Sequence, residues 1–164
     1  MDRPELAKTA ANYVPLSPVS YLARAAAFFG ARTAVVHGSR RITYSQFFAR
    51  ARQLAHALAK AGIRRGDTVA IIAPNVPAML EAHYAVPMLG AILNPINTRL
   101  DAPAIAFCLE HGEARLLLAD REYHAAVKPA RQRLGAKAPI VVDIADPETA
   151  DGPQLGNIEY EAFI

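Results

Sequence analysis

A chain of 164 residues that is 52% hydrophobic and 20% charged suits one globular domain. It is too apolar and too weakly charged for a disordered tail, and its lone Cys108 excludes a disulfide scaffold. The net charge is +3, and the 18 basic residues are scattered, with pairs such as Arg40-Arg41 and Arg64-Arg65 at most, so no basic face suited to nucleic acid is evident.

Residues 1–16 read as an N-terminal arm. Ser17 followed by Pro18 is a helix-start signal, and the first helix is expected to run to about Phe29. A β-hairpin follows, with strands at 33–36 and 41–43 and its turn at Gly38-Ser39. Thr43 with Gln46 three residues on is a capping box. Behind it, Phe47, Ala51, Leu54, Ala55 and Leu58 form one helical stripe.

Strands are expected at 68–73, 91–95, 115–119 and 140–143. Helices are expected at 76–89, from the Asp101 cap to His111, and at 121–134. Pro87 should bend its helix or end it early, and Pro129 should kink the last one. The 76–89 helix is apolar on most sides and should be largely buried. The helical runs stop at Gly30, Gly62, Gly90, Gly112 and Gly135, where positive φ is expected.

Continuous apolar strands alternating with helices predict an α/β doubly wound fold over 17–143, mostly parallel, with helices on both faces and the hairpin at its N-terminal side. From 144 to 164 a polar, Pro/Gly-rich loop leads into an apolar segment. Ending on Phe163-Ile164 reads as an interrupted chain.

The stretch from Val69 to Met88 is broken by Pro74, Asn75, Pro77, Glu81, His83 and Pro87, so no run reaches the ~20 apolar residues of a membrane span. The N-terminus lacks a basic segment followed by an apolar one, and a cytoplasmic location is expected.

Ligands of such sheets sit at the carboxyl ends of the strands. The loops to inspect are therefore Pro74-Asn75, 94–101, 120–124 and 143 onward. There is no G-x-x-x-x-G-K-[ST] loop and no G-x-G-x-x-G. The histidines His37, His56, His83, His111 and His124 make no metal-ligand spacing. His83 reads as core or interface packing, and Cys108 as a buried structural thiol. Asn97, Thr98 and Arg99 stand before a capped helix and could face an anion, although a plain turn with an Asp cap explains them equally well.

Several segments, taken together, resemble the AMP-forming acyl-CoA synthetases, the adenylate-forming ligases. Arg32-Thr33-Ala34-Val35-Val36 followed by Ile42-Thr43-Tyr44-Ser45-Gln46-Phe47 resembles their first block. Gly62-Ile63-Arg64-Arg65-Gly66-Asp67-Thr68-Val69 is similar to their G-(I/V)-x-x-G-D-x-V segment. Pro74-Asn75-Val76-Pro77 and Gly90-Ala91-Ile92-Leu93-Asn94-Pro95-Ile96-Asn97 resemble the next two. The likeness runs in family order from about Leu16 to Val142. The stretch from Glu81 to Asp101 looks most like bacterial fatty-acyl-CoA ligases.

The resemblance implies a parent enzyme that uses ATP and Mg²⁺ to turn a carboxylate into an acyl-adenylate, then passes the acyl group to coenzyme A. A short- to medium-chain fatty acid is the implied substrate. The family's phosphate loop, Tyr-Thr-Glu motif, ribose-binding Asp and catalytic Lys would all lie after Ile164. The chain alone is therefore expected to be an inactive N-terminal subdomain, with the rest of its own chain as partner and no tight cofactor of its own. The resemblance also implies coenzyme A nucleotide contacts at Asn97, Thr98, Arg99, Arg121 and His124, with Lys128 near them. Apolar surface left by the missing remainder should favour self-association. The alternatives are a free-standing, non-catalytic α/β binding module and one half of a split ligase.

Overall fold

The computed structural model describes residues 8, 9, 11, 13, 14, 17–149 and 152–164. The expected arm over 1–16 therefore falls mostly outside the described residues. The Ser17 hydroxyl accepts the Val19 N–H at 3.3 Å, and Pro18 opens the first turn of α1 (Pro18–Phe29).

Strands β1 (Thr33–His37) and β2 (Arg40–Thr43) form the expected antiparallel hairpin, turned at Gly38, whose φ is +52. Thr43 then caps α2 (Tyr44–Lys60). Its hydroxyl accepts Gln46 N–H at 3.3 Å, and its own N–H donates to Gln46 Oε1 at 2.9 Å. Leu22, Ile42, Phe47 and Ala51 pack where α1, hairpin and α2 meet.

The rest alternates strand and helix: β3 (Thr68–Ile72), α3 (Pro77–Met88), β4 (Ile92–Pro95), α4 (Ala102–His111), β5 (Ala114–Asp120), α5 (His124–Leu134) and β6 (Ile140–Ile144). After the loop beyond β6, the chain returns to the sheet as β7 (Ile158–Glu159) and α6 (Tyr160–Phe163). The five strands run in the order β4-β3-β5-β6-β7, and every neighbouring pair is parallel. The hairpin is a separate two-stranded sheet.

The buried residues of the central strands face one of two cores. Val69, Ile71, Leu116 and Leu118 meet α2, α3 and Tyr160 of α6. Ala70, Ile72, Leu117 and Ala119 meet α4 and α5. Coverage on both faces is why β3 is buried at all five positions and why its sequence does not alternate.

Some local expectations shift. The helix predicted from Arg121 begins at His124, after a 3₁₀ turn at Arg121–Tyr123. Helix α3 buries Ala78, Glu81, Ala82, Ala85 and Val86 but exposes Leu80, His83 and Pro87. Gly62, Gly90 and Gly135 have positive φ, whereas Gly30 and Gly112 have φ of −50 and −80. At the latter two, glycine is needed for room. A Cβ on Gly30 would strike the Ser45 hydroxyl, and one on Gly112 would lie 2.9 Å from Asn94 Nδ2. The left-handed step passes to Glu113, with φ of 51.

Candidate functional site

From β3 the chain moves out to β4, then returns past β3 to β5 and continues to β6. The loops leaving β3 and β5 therefore part in opposite directions. The crevice between their carboxyl ends is where an open α/β sheet binds its ligands.

The loop leaving β4 starts by extending the parallel ladder with β3, Ile96 N–H donating to Ile71 O at 2.8 Å. It is shaped by its own polar groups. Asn97 Oδ1 accepts Arg99 N–H at 2.9 Å, and Asp101 Oδ1 caps α4 by accepting Ala104 N–H at 3.0 Å. Asn97 and Arg99 are exposed, and Thr98 is half-buried.

At the end of β5, Asp120 is fully buried. It accepts Glu122 N–H at 3.0 Å, and the Thr149 hydroxyl lies 3.4 Å from each of its oxygens. Burial pushes its pKa up, while the Glu122 N–H works the other way. Burial likewise raises the Tyr123 phenol, against a hydrogen bond from the Thr98 side chain. Thr98 of one loop thus meets Tyr123 of the other across the end of β3.

Arg121 and His124 flank Tyr123, both half-buried, and Lys128 is exposed one turn further along α5. The Arg121 carbonyl is packed so closely by Gly152 that a Cβ there would overlap it. Thr98 meets this segment at Tyr123, Arg121 and His124 lie within two residues of Tyr123, and Asn97 and Arg99 lie in the exposed stretch beside Thr98. Tyr123 escaped the sequence reading. Its signal was an aromatic placed between two of the expected contacts.

The loop after β6 has another task. Asp143 is fully buried, and its carboxylate accepts Leu155 N–H and Gly156 N–H, each at 3.0 Å, which returns the chain to β7. Nearby, His37 Nε2 and Asp146 Oδ1 are 2.7 Å apart and tie the hairpin to this loop.

An apolar groove of about 500 Å³ opens between the hairpin and α3, with Val36, Val76, Leu80 and His83 in its lining. His83 is exposed on it, its Nδ1 2.8 Å from Met79 O, so it is not in the core, one of the two kinds of packing expected for it. Cys108 is half-buried rather than buried. Among the described residues no group of three His, Cys, Asp or Glu could hold a metal ion, and no helix is long and apolar enough to cross a membrane.

An open, parallel, doubly wound sheet offers a ligand crevice at this switch point. The family model described as AMP-binding enzyme matches residues 22–160, and the chain belongs to that family. It is 45% identical to the acetate–CoA ligase CCL3 of Humulus lupulus, over 99% of this chain and 31% of that protein. It is 42% identical to the peroxisomal acetate/butyrate–CoA ligase AAE7 of Arabidopsis thaliana, with the same coverage of 99% and 31%.

Among solved structures, the anthranilate CoA ligase AuaEII bound to anthranoyl-AMP matches at TM-score 0.79 and 26% identity, over 88% of this chain and 27% of that one. The O-succinylbenzoate coenzyme A synthetase of Bacillus subtilis, bound to AMP, matches at TM-score 0.65 and 27% identity, over 75% and 30%. The chain thus spans about a third of the length of the curated relatives it matches.

Proposed function

We propose that this chain is the N-terminal α/β part of an AMP-forming carboxylate–CoA ligase acting on a short- to medium-chain fatty acid. The observation that carries this reading is the family match over residues 22–160, together with relatives named for acetate and butyrate.

When bound, ATP with Mg²⁺ supplies the pyrophosphate leaving group and charge screening, and coenzyme A supplies the accepting thiol. The described residues offer no metal-binding group, and the sequence has no phosphate loop, so no step involving ATP or Mg²⁺ is assigned to them. Residues 97–99 and 121–128 do suit the anionic nucleotide end of coenzyme A. Exposed Arg99 presents a guanidinium fork, and Arg121, His124 and Lys128 bring cationic or donor groups on the segment that follows β5. Thr98 and Asn97 set that loop's position.

The test uses the intact polypeptide that carries this chain. Pyrophosphate release and thiol consumption are followed with acetate, butyrate, hexanoate and longer acids. Turnover with the shorter acids is expected, and thioester formation with none of them overturns the reading. Arg121→Ala should raise KM for coenzyme A several-fold while leaving pyrophosphate release intact. Unchanged coenzyme A kinetics would remove Arg121 from the site. The isolated 164 residues should release no pyrophosphate. A cytoplasmic location goes with this reading, and imaging of a tagged intact protein tests it.

The same reading proposes self-association of the isolated chain through apolar side chains the remainder would cover, Phe28 at 74% exposure and Val36 at 62% among them. Light scattering should show mass rising with concentration, and a constant 17.7 kDa would refute it.

A further inference from the structure

Two segments leave the sheet from strands on either side of β3. Residues 97–101 follow β4, and residues 121–124 follow β5. Each is shaped by its own polar groups. In the first, Asn97 Oδ1 accepts Arg99 N–H, Asn97 O accepts Leu100 N–H at 3.2 Å, and Asp101 caps α4. In the second, buried Asp120 accepts Glu122 N–H and so opens the 3₁₀ turn that ends at Tyr123. These bonds fix the form of each segment, and none of them joins one to the other.

Tyr123 makes that join. It is half-buried and packs against the core under α4 and α5, as Leu100 does from the other segment. Its hydroxyl meets the Thr98 side chain. Burial holds the phenol above its ordinary value, and the charges of Glu122 and Asp120 act the same way, so the hydroxyl stays neutral near pH 7. Arg99 is the residue after Thr98, and Arg121 and His124 lie within two residues of Tyr123. The contact therefore ties together the two segments that carry the candidate anion-binding side chains. A ligand that touches both segments would otherwise have to order them as it binds, which lowers affinity.

We propose that Tyr123 is a positioning residue for coenzyme A: its ring is anchored in the core, its hydroxyl holds Thr98, and the join presets the spacing of two segments that the nucleotide end bridges. Tyr123 acts through Thr98 rather than on the ligand. This inference rests on the reading of the chain as part of a carboxylate–CoA ligase. A merely packing aromatic would serve as well as phenylalanine, so the hydroxyl is what the test removes.

KM for coenzyme A and KM for ATP are measured on the intact polypeptide, for the wild type, Tyr123→Phe, Thr98→Val and the double variant. Each single substitution keeps the side chain's shape and removes one hydroxyl. Each should raise KM for coenzyme A by roughly two- to tenfold, the worth of one neutral hydrogen bond, and KM for ATP by less. Because the two hydroxyls form one contact, the double variant should be no worse than the poorer single one. Without ligand, hydrogen exchange at the Arg99 and Leu100 amides should be faster in Tyr123→Phe than in the wild type.

Unchanged KM for coenzyme A or unchanged exchange in Tyr123→Phe overturns the proposal. So does an equal rise in both KM values, which general loosening of the fold would give. Effects that multiply in the double variant also overturn it, because they show two separate roles. In each of these cases, thioester formation by the wild type leaves the ligase reading standing. A wild type that forms no thioester overturns both.

Discussion

The five-stranded sheet and the N-terminal hairpin use similar residues to different ends. In β3, Thr68-Val69-Ala70-Ile71-Ile72 is buried throughout, whereas in β1, Thr33-Ala34-Val35-Val36-His37 is half-covered and Val36 is 62% exposed. The difference is coverage. Helices lie on both faces of the sheet, while the hairpin meets α1 and α2 on one side only. Burial here comes from what packs on a strand, and the apolar content of the strand does not decide it.

The sharpest way to break the comparison lies at Glu81, on the sheet side. It is 1% exposed and bound by Arg50 at 2.5 Å and by the Tyr160 hydroxyl at 2.6 Å. Burial opposes the charge on Arg50, but its hydrogen bonds to Glu161 and Glu81 outweigh that and hold its pKa above the ordinary value. Burial, with the Glu81 charge beside it, pushes the Tyr160 phenol well up. Glu81→Ala should therefore cost roughly 3–5 kcal/mol in urea unfolding, because the buried Tyr160 hydroxyl loses its acceptor and half-buried Arg50 keeps only Glu161. A loss below about 1 kcal/mol, the level of an exposed pair, would show that the network is solvated.

Next in size is a pair of truncations. Leu117→Ala in β5, at 0% exposure, should cost about 2–5 kcal/mol. Val36→Ala in the hairpin should stay within about 0.5 kcal/mol. Equal losses would erase the distinction between the two regions.

The smallest effect is one of pH. Burial raises Asp120 above its ordinary value of 3.8, so the folded chain keeps this proton to higher pH than the unfolded chain. Stability should fall as pH rises from 3.8 through the raised value, then level off. Asp120→Asn, which can still accept the Glu122 N–H, should flatten that fall in urea midpoints taken across the range. An identical slope in the variant would place the cause elsewhere.

Local signals in the sequence were read correctly because their causes are local. The Ser17 and Asp101 caps, the Thr43–Gln46 box and the Gly38-Ser39 turn each depend on residues within a few positions. The conformations at Gly30 and Gly112 depend on Ser45 and Asn94, which folding brings in from other elements. Strand β7 is two residues long and too short to show a period. The Arg50–Glu81–Tyr160 cluster joins three helices far apart in sequence. Strand–helix alternation placed 97–99 and 121–124 after the carboxyl ends of two strands, where the structure has them. That Thr98 reaches Tyr123 could not be read, because it requires β4 to lie beyond β3 and its loop to reach the segment after β5.

The strand order also sets a schedule for synthesis. Strand β3 is an interior strand, yet its partner on one side, β5, begins 42 positions after β3 ends, at Ala114 against Ile72. At roughly 5–20 residues per second on the ribosome, that edge waits about 2–8 s for its neighbour. During the wait β3 and β4 can already pair through α3. The nascent chain therefore carries an apolar, hydrogen-bond-hungry ribbon edge for seconds, a natural place for a chaperone to bind before β5 arrives.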